Sequence, residues 1–368
     1  MRRFFAHIRR YDWFLMASVF LLVGIGLVSL FSLAGVSAFP FFRRQIVWVG
    51  VGIACLVAAS FVDFRIFRTQ SAVVLLCYGA SVVLLALILI AGAKIRGIHA
   101  WLSVGGVSFQ PVEFTKLALV ILLAKFFSKR HREIYRVRHL IVSGAYVLLP
   151  ALLVLIQPDL GSAIVLVAVW IATVLFSGIK VRHFFSLLIV GGILALIGWH
   201  FVLLPYQQSR IISFADPYRD PRGAGYQMIQ SMIAVGSGRV WGKGLGYGSQ
   251  SHLHFLPEPQ TDFIFAAYAE EWGYAGTAIL LFLVFATVFK IVRIGIRAED
   301  NFSRLFTLGF SALIFTQSFI HIGMNMGILP ITGLTLPFVS YGGSSIVMFF
   351  TGIGIVQNIK INARREIE

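Results

Sequence analysis

Charged residues are scarce in this 368-residue chain, since Asp, Glu, Lys and Arg together make up only 12% of it. A soluble domain carries about 25% charged residues, so this chain lacks the polar side chains needed to cover a water-facing surface. Hydrophobic residues reach 58%, and the mean hydropathy is +0.86. The composition therefore excludes a soluble one- or two-domain protein and predicts a polytopic membrane protein.

Acidic residues are fewer still, with 15 Asp and Glu against 31 Lys and Arg and a formal net charge of +16. In a soluble protein this charge would suggest a nucleic-acid partner. Here the basic residues fall in short clusters between apolar runs, which is typical of a topology signal, so we expect no nucleic-acid partner. The two cysteines, Cys55 and Cys77, both lie inside apolar runs, and we interpret them as small core side chains rather than a disulfide or a metal site.

Ten apolar runs approach the length of about 20 residues that crosses a bilayer as a helix. They predict an all-α, single-domain membrane protein over residues 1–368. Most basic residues fall on one side if the N-terminus is cytoplasmic, so we predict that both termini are inside. We interpret the first run as a retained span, because it is longer than the apolar core of a cleaved signal peptide. The runs are Trp13–Ala34, Gln45–Val62, Ala72–Gly92, Val112–Phe127, Leu140–Ile156, Leu160–Phe176, His183–Leu204, Phe263–Phe289, Leu305–Ile328 and Pro337–Asn358.

The longest segment between runs, residues 205–262, is predicted to be a large extracytoplasmic loop between spans seven and eight. It contains a helix-like piece at Tyr226–Val235 and a glycine-rich stretch at Gly236–Gly248. That stretch lacks the residues of a phosphate-binding P-loop or a dinucleotide fingerprint. Two interpretations stay open: either Arg239 and Lys243 meet an anionic headgroup, or the stretch is a tight turn packed at the membrane surface.

Three ionisable residues lie at the outer ends of predicted spans, where a charge is costly unless it is paired or faces water. Glu113 and Lys116 are three residues apart and so share one helix face. They form either an ion pair that joins helices or the polar wall of a cavity. Asp159, in the turn before the sixth span, either caps that span or faces the same cavity.

The segment Leu256–Phe263 precedes the eighth span and is held extended by two prolines. Thr261 is predicted to cap this helix, which would place Asp262 in the first turn, where the helix dipole keeps a carboxylate ionised. Such a carboxylate at the mouth of a span is a candidate general base. Ordinary placement of acidic residues at a helix N-terminus would explain the same pattern.

Two further carboxylates, Glu270 and Glu271, follow in the same apolar run, about 12 Å along the helix. Either this helix lines a wet cavity, or the true span begins near Trp272. His252 and His254 are two residues apart, which predicts no metal site without a third ligand.

These motifs, in this order, resemble the SEDS family (shape, elongation, division and sporulation proteins), which includes RodA and FtsW. The resemblance covers essentially the whole chain. The segments that carry it are Trp101–Lys116, Gln157–Ser162, Arg210–Gly276 and Gly333–Ser345. Val112 stands where the family usually has Ser, and Gln260 stands where it usually has His. The form of the last segment is more similar to RodA than to FtsW.

The resemblance implies a peptidoglycan glycosyltransferase that polymerises lipid II into linear glycan strands at the outer face of the bacterial cytoplasmic (inner) membrane, for cell-wall elongation and cell shape. It implies Asp262 as the catalytic base. The substrate-binding residues that it implies are Glu113, Lys116, Asp159, Arg210, Lys243, Glu258 and Ser344.

The resemblance implies that Arg210, Lys243 or a divalent cation, Mg or Mn, meets the diphosphate of the substrate, and no dedicated metal site is expected in the protein. The expected partners are a class B penicillin-binding protein, which is a transpeptidase, and other membrane proteins of the elongation complex. Three alternatives stay open: a lipid II flippase, an FtsW-type division role, and a scaffold that only recruits a transpeptidase.

Overall fold

The computed structural model describes residues 2–33, 39–91, 93–95, 98–104, 107–130, 137–201, 203–221 and 223–365. Within these ranges the chain is mainly helical, with three short strands. The helices are α1 (Arg2–Arg9), α2 (Trp13–Leu33), α3 (Phe39–Phe61), α4 (Arg65–Thr69), α5 (Ser71–Ala91), α6 (Pro111–Ser128), α7 (Val137–Ile156), α8 (Leu160–Phe176), α9 (Val181–Phe201), α10 (Pro205–Ala215), α11 (Ala224–Ser237), α12 (Ser249–His252), α13 (Ile264–Ile296), α14 (Asn301–Asn325) and α15 (Gly343–Arg365).

In the described residues, eight helices are long and apolar enough to cross a membrane: α2, α3, α5, α7, α9, α13, α14 and α15. Helix α8 is apolar but shorter, with 17 residues. Helix α6 carries Glu113, Lys116 and Lys125. Each of the ten predicted runs falls on one of these ten helices, so the multi-pass helical architecture is confirmed. The number of spans and the side of the membrane on which the long loop lies stay predictions.

Two parts of the prediction are wrong in detail. The helix of the last predicted run starts at Gly343 and not at Pro337. The residues before Gly343 do not continue a helix, because proline lacks an N–H and Phe338 has a left-handed φ of 66°. Three strands, β1 (Ala93–Ile95), β2 (Ile98–Val104) and β3 (Val107–Phe109), form an antiparallel sheet in the order β1–β2–β3. Strands of 3 and 7 residues are too short to stand out as apolar runs of membrane-spanning length.

The long loop holds more structure than expected. The helix-like piece is confirmed as α11, and α10, α12 and a short 3-10 helix at Pro217–Arg219 accompany it. Helix α11 packs against α13, so the loop is attached to the helices of the bundle.

Helix α14 lies at the centre of the bundle, where it packs against α6, α8 and α13, and most of its residues are buried. Helices α3 and α15 approach each other closely at glycines. A Cβ atom at Gly52 would lie 2.5 Å from the Phe350 ring, and one at Gly354 would lie 2.4 Å from the Leu56 carbonyl oxygen. Small residues are what such close helix contacts need.

Helix α13 is broken at Gly273, whose φ of 64° and ψ of −162° are not helical. A break leaves backbone groups without partners inside the helix, and the glycine-rich stretch of the long loop supplies those partners. The four backbone hydrogen bonds run from Lys243 N–H to the Glu270 carbonyl (3.0 Å), from Gly244 N–H to the Glu271 carbonyl (3.0 Å), from Tyr274 N–H to the Arg239 carbonyl (2.8 Å) and from Ala275 N–H to the Val240 carbonyl (3.0 Å). The stretch is thus packed against α13, and an uninterrupted helix starts only at Tyr274, close to the alternative start near Trp272.

Candidate functional site

Helix α13 begins at Ile264, and Phe263 occupies its N-cap position. The prediction that Thr261 caps this helix is therefore wrong. The cause is a turn at Glu258, whose carbonyl accepts hydrogen bonds from the backbone N–H groups of Thr261 (3.1 Å) and Phe263 (3.4 Å). Asp262 consequently precedes the helix instead of lying in its first turn, and it remains beside the positive end of the helix dipole.

Asp262 is half-buried and lies against the segment that joins α14 to α15, residues 326–342, which we call the connecting segment. A Cβ atom at Gly333 would lie 3.5 Å from Oδ2 of Asp262. The φ of Gly333 is 74°, a left-handed value that favours glycine. The Asp262 carbonyl accepts a hydrogen bond from Nδ2 of Asn325 (3.0 Å). Asp262 therefore lies between the end of α14, which its carbonyl contacts, and the connecting segment, which its carboxylate faces.

The connecting segment also holds the chain just before Asp262. Oγ of Ser340 donates to the Thr261 carbonyl (2.9 Å), and the Tyr341 N–H donates to the Gln260 carbonyl (3.0 Å). Glu258 adopts a left-handed φ of 49°, and its Oε2 accepts a hydrogen bond from Nε2 of Gln260 (2.7 Å). Glu258 is therefore part of the same turn as Asp262, as the sequence order suggested.

Glu113 and Lys116 form a buried ion pair on α6, with Nζ and Oε1 2.8 Å apart and side-chain exposures of 4% and 0%. The ion-pair interpretation of these residues is thus confirmed. Lys116 also donates to Oε1 of Gln317 on α14 (3.0 Å), and Nε2 of Gln317 donates to the Thr335 carbonyl (3.0 Å). The pair is consequently linked through Gln317 to the connecting segment.

Asp159 is the N-cap of α8, as one of its two interpretations expected. Its Oδ1 accepts the Ser162 N–H (2.9 Å), and its Oδ2 accepts the Ser162 hydroxyl (2.7 Å). The first turn of α8 touches the connecting segment, because a Cβ atom at Gly161 would lie 2.9 Å from Cβ of Thr332. Asp159 is therefore brought to the same part of the molecule as Asp262.

Arg210 and Ser344 reach the connecting segment and its continuation into α15. Nη1 of Arg210 lies 3.4 Å from the Ile331 carbonyl, and Arg210 lines a cavity of about 180 Å³ with Ser213, Gln227 and other residues of α10 and α11. Ser344 is buried at the start of α15, and its Oγ accepts the Gln110 N–H (2.9 Å).

Lys243 is held elsewhere, two turns along α13 from Asp262. Its Nζ lies 2.7 Å from Oε1 of Glu270 and 2.8 Å from Oγ of Ser249. Glu270 is completely buried, and its two oxygens also accept the backbone N–H groups of Gln250 and Ser251. Lys243 thus balances a buried carboxylate and is not directed toward Asp262 by its contacts.

Glu271 fastens the same loop from the next position. Its Oε1 accepts hydrogen bonds from Oγ of Ser32 (2.5 Å) and from the Gly246 N–H (3.1 Å), and it lies 3.2 Å from Nε2 of His252.

In the part of the chain that the structure describes, no three His, Cys, Asp or Glu side chains come together to hold a metal ion. A dedicated metal site is therefore not formed by these residues.

Sequence reasoning missed the polar face of α14, which carries Gln317, His321 and Asn325. All three side chains are fully buried, and each donates to a carbonyl of a non-helical residue or segment near the site. The sequence contained a signal for this face, because these polar residues are spaced four apart in an apolar run and therefore share one face of the helix.

Comparisons with known proteins agree with this architecture. Residues 12–365 match the family model of FtsW, RodA and SpoVE, described as "Cell cycle protein". The chain is 36% identical to stage V sporulation protein E of Bacillus subtilis over 366 residues, which cover 96% of this chain and 98% of that protein. It is 36% identical to peptidoglycan glycosyltransferase MrdB of Escherichia coli K12 over 319 residues, which cover 86% of this chain and 85% of that protein.

Among solved structures, the chain is similar to one from work on the structural coordination of polymerization and crosslinking by a peptidoglycan synthase complex. The TM-score is 0.81 at 33% identity, with 96% of this chain and 98% of that chain covered. The likeness extends over the helical bundle and the long loop together.

Proposed function

Because the chain belongs to the FtsW/RodA/SpoVE family, we propose that it is a peptidoglycan glycosyltransferase that polymerises lipid II into linear glycan strands at the outer face of the cytoplasmic membrane. The Escherichia coli relative carries the name of this activity. A role in elongation and cell shape is the finer part of the proposal. It rests on the RodA-like form of the connecting segment. Sequence identity alone does not choose between the roles, because the sporulation relative and MrdB are both 36% identical to this chain.

The observation that carries the proposal is the surroundings of Asp262. Asp262 is half-buried, and its carboxylate lies at the mouth of α13 against Gly333. Around the same connecting segment lie Arg210 and the buried Glu113–Lys116 pair, which is linked to it through Gln317. A carboxylate at a helix mouth, together with cations around a short polar segment, provides the components that this transfer needs.

In the proposed reaction, the acceptor sugar hydroxyl attacks the anomeric carbon of the donor, and Asp262 takes the hydroxyl proton. The bond between that carbon and the diphosphate oxygen breaks, and its electron pair stays on the diphosphate. A diphosphate is a weak base and leaves without a general acid, but its charge needs cationic stabilisation. A single displacement inverts the anomeric carbon.

Arg210 would supply this positive charge, and Ser344 would donate its hydroxyl hydrogen to a substrate oxygen. Lys243 uses two of its three donors on Glu270 and Ser249, so it would offer only the third to a phosphate oxygen. Asp159 and Glu258 would shape the polar wall that receives the sugars, and the buried Glu113–Lys116 pair would support this wall from behind through Gln317.

A divalent cation at the diphosphate, Mg or Mn, is a separate proposal. The described carboxylates and histidines do not converge on a metal-binding group of three, so they do not fit a resident ion. Mg is commonly held by one or two carboxylates together with substrate phosphates, and such an ion would arrive with the substrate. None of the steps above depends on it.

Asp262→Asn tests the proposal, because it removes the proton acceptor and keeps the shape. We expect a protein with an unchanged melting temperature that binds lipid II and polymerises it about 10²–10⁴ times more slowly. Asp300→Asn is the matched control, since Asp300 also precedes a helix but caps α14 through the Ser303 N–H (3.0 Å). Wild-type polymerisation by the purified Asp262→Asn protein would refute the assignment of the base.

The same assay separates an enzyme from a flippase. Purified wild-type protein should form glycan polymer from lipid II in detergent, without any other glycosyltransferase. A protein that forms no polymer but moves lipid II across the bilayer of sealed vesicles would be a transporter.

We further propose that the protein works with a class B penicillin-binding protein in the bacterial inner membrane, with both of its own termini in the cytoplasm. Linear strands need crosslinking, and the similar solved chain belongs to a complex that coordinates polymerization and crosslinking. Other membrane proteins of the elongation complex would join this pair. Mild detergent extraction of the tagged protein from its host should recover the transpeptidase, and repeated failure to do so would argue against the pairing.

A further inference from the structure

One face of α14 holds two non-helical parts of the chain: the connecting segment and the turn before α13 that contains Asp262. Gln317 donates to the Thr335 carbonyl (3.0 Å), and Nδ1 of His321 donates to the Leu334 carbonyl (2.7 Å). Asn325, one further turn along, donates to the carbonyl of Asp262 itself (3.0 Å). Of the three residues, only Asn325 contacts the residue that we assign as the base.

Asn325 is fully buried, and both ends of its amide are used. Nδ2 donates to the carbonyls of Asp262 (3.0 Å) and His321 (2.8 Å), which uses both of its hydrogens. Oδ1 accepts the Ala266 N–H (3.2 Å). The amide therefore has one orientation that satisfies all of its partners, and that orientation joins α14 to both sides of the start of α13.

The contact with Ala266 replaces a missing cap. The N-cap residue of α13, Phe263, has no side-chain acceptor, and no side-chain hydrogen bond caps the helix locally. Ala266 is the third helical residue, whose N–H is the usual target of a capping oxygen. Asn325 supplies that oxygen from another helix and, with the other end of the same group, holds the carbonyl of Asp262.

We infer that Asn325 is a positioning residue for the transfer reaction, which fixes the backbone of Asp262 and so the distance of its carboxylate from the acceptor hydroxyl. This inference rests on the proposed function. A shift of about 1 Å in a reacting group can cost about a hundredfold in rate. Loss of the hydrogen bond from Asn325 to the Asp262 carbonyl is expected to allow the backbone of Asp262 to shift by about that distance. The substrate-binding residues lie on other elements, so substrate affinity is not expected to depend on Asn325.

Two substitutions separate the tether from the cap. Asn325→Ala removes both. Asn325→Asp keeps an oxygen for the Ala266 N–H, but it places a second oxygen against the carbonyls of Asp262 and His321, where a donor is required. If the tether matters, both variants lose turnover, whereas a role limited to helix capping would spare Asn325→Asp.

Gln357→Ala is the matched control. Gln357 is also fully buried, and its amide also holds the backbone next to another helix. It accepts the N–H of Asp12 (2.8 Å), the residue just before α2, and donates to the Asp12 carbonyl (3.3 Å). It belongs to α15 and contacts none of the residues assigned to the site. Its loss measures the general cost of removing a buried amide tether.

The experiment measures kcat and KM for lipid II polymerisation, with the melting temperature of each purified full-length variant. Asn325→Ala and Asn325→Asp should lower kcat about 10- to 100-fold and leave KM within about twofold of the wild-type value. Gln357→Ala should lower the melting temperature comparably and leave kcat within about twofold. Asn325→Ser, which keeps a small hydroxyl, replaces Asn325→Ala in the comparison if the alanine variant does not insert.

Three outcomes would overturn the inference: wild-type kcat in Asn325→Asp, equal kcat in the Asn325 and Gln357 variants, or an effect confined to KM. Failure of the proposed function looks different, because the Asp262→Asn protein would then polymerise lipid II at the wild-type rate. An inactive Asp262→Asn protein together with fully active Asn325 variants would reject the positioning role alone.

Discussion

Nζ of Lys116 lies 2.8 Å from Oε1 of Glu113, and both side chains are almost entirely buried near the start of α6. Oε2 of Glu113 has no hydrogen-bond partner among the described residues. A buried pair of this kind contributes little net stability, but removing one member leaves an uncompensated charge. The stability of the protein is therefore expected to fall much more when one member of the pair is replaced than when both are replaced.

Glu113→Gln should destabilise the protein by about 3–5 kcal/mol, because it leaves the Lys116 ammonium buried without its carboxylate. The double variant Glu113→Gln, Lys116→Met should recover most of that loss, since it removes the charge as well. Melting temperatures of the wild type, both single variants and the double variant complete the comparison. Equal losses that simply add in the double variant would show that the two residues do not stabilise each other.

Asp159 combines a helix cap with a location next to the connecting segment, and two substitutions distinguish these roles. Asp159→Ala should destabilise the protein by about 1 kcal/mol through loss of the cap, whereas Asp159→Asn keeps a capping oxygen and should melt like the wild type. If Asp159 also contacts lipid II, both variants should polymerise it more slowly. Wild-type turnover in Asp159→Asn would restrict the residue to capping.

Gly273→Ala should disrupt the N-terminal part of α13. A Cβ atom there would lie 2.3 Å from the Gly242 nitrogen and 2.7 Å from the Val240 carbonyl oxygen, so the loop would have to move and its backbone hydrogen bonds would weaken. We expect a loss of about 3 kcal/mol or more. Gly246→Ala is the control, since Gly246 also has a positive φ, 81°, but nothing lies within 4 Å of the added atom. Its loss should stay near 1–2 kcal/mol, roughly the backbone cost alone.

The predicted orientation can be tested by labelling single cysteines from outside the cell, in a background that lacks Cys55 and Cys77. Tyr247→Cys, at an exposed position of the long loop, should react with a membrane-impermeant reagent. Lys129→Cys should react only after permeabilisation, because we predict that the Lys129–Arg138 loop, whose residues 131–136 lie outside the described residues, is cytoplasmic. The reverse pattern would invert the topology and remove the proposed outer active site.

The sequence was most informative where a charge interrupts an apolar run. Glu113, Lys116 and Asp159 attract attention for that reason, and simple helix geometry predicts the ion pair and the cap that the structure contains. The role of Asp262 was different. Spacing alone allowed ordinary charge placement, and its assignment as a base came from resemblance to a family.

The cap of α13 could not be predicted from local rules. Such rules choose a capping side chain within a few residues of the helix start, and they select Thr261. The acceptor instead comes from Asn325, 59 residues from Ala266 in the chain. The break at Gly273 was hidden for a similar reason, because its backbone partners lie in the loop and the apolar run continues through it.

At the break in α13, all four hydrogen bonds to residues 239–244 of the long loop use main-chain atoms, whereas the side chains of Glu270 and Glu271 hold the loop farther along the chain. The side chains of Arg239, Val240 and Trp241 point away from this contact and are exposed. Substitutions at Val240 and Trp241 therefore leave the anchoring bonds in place, whereas Arg239, whose φ is 48°, is limited to residues that tolerate a left-handed backbone. The loop can change its outward chemistry during evolution, and with it the molecules it meets, while the broken helix beneath it keeps its shape.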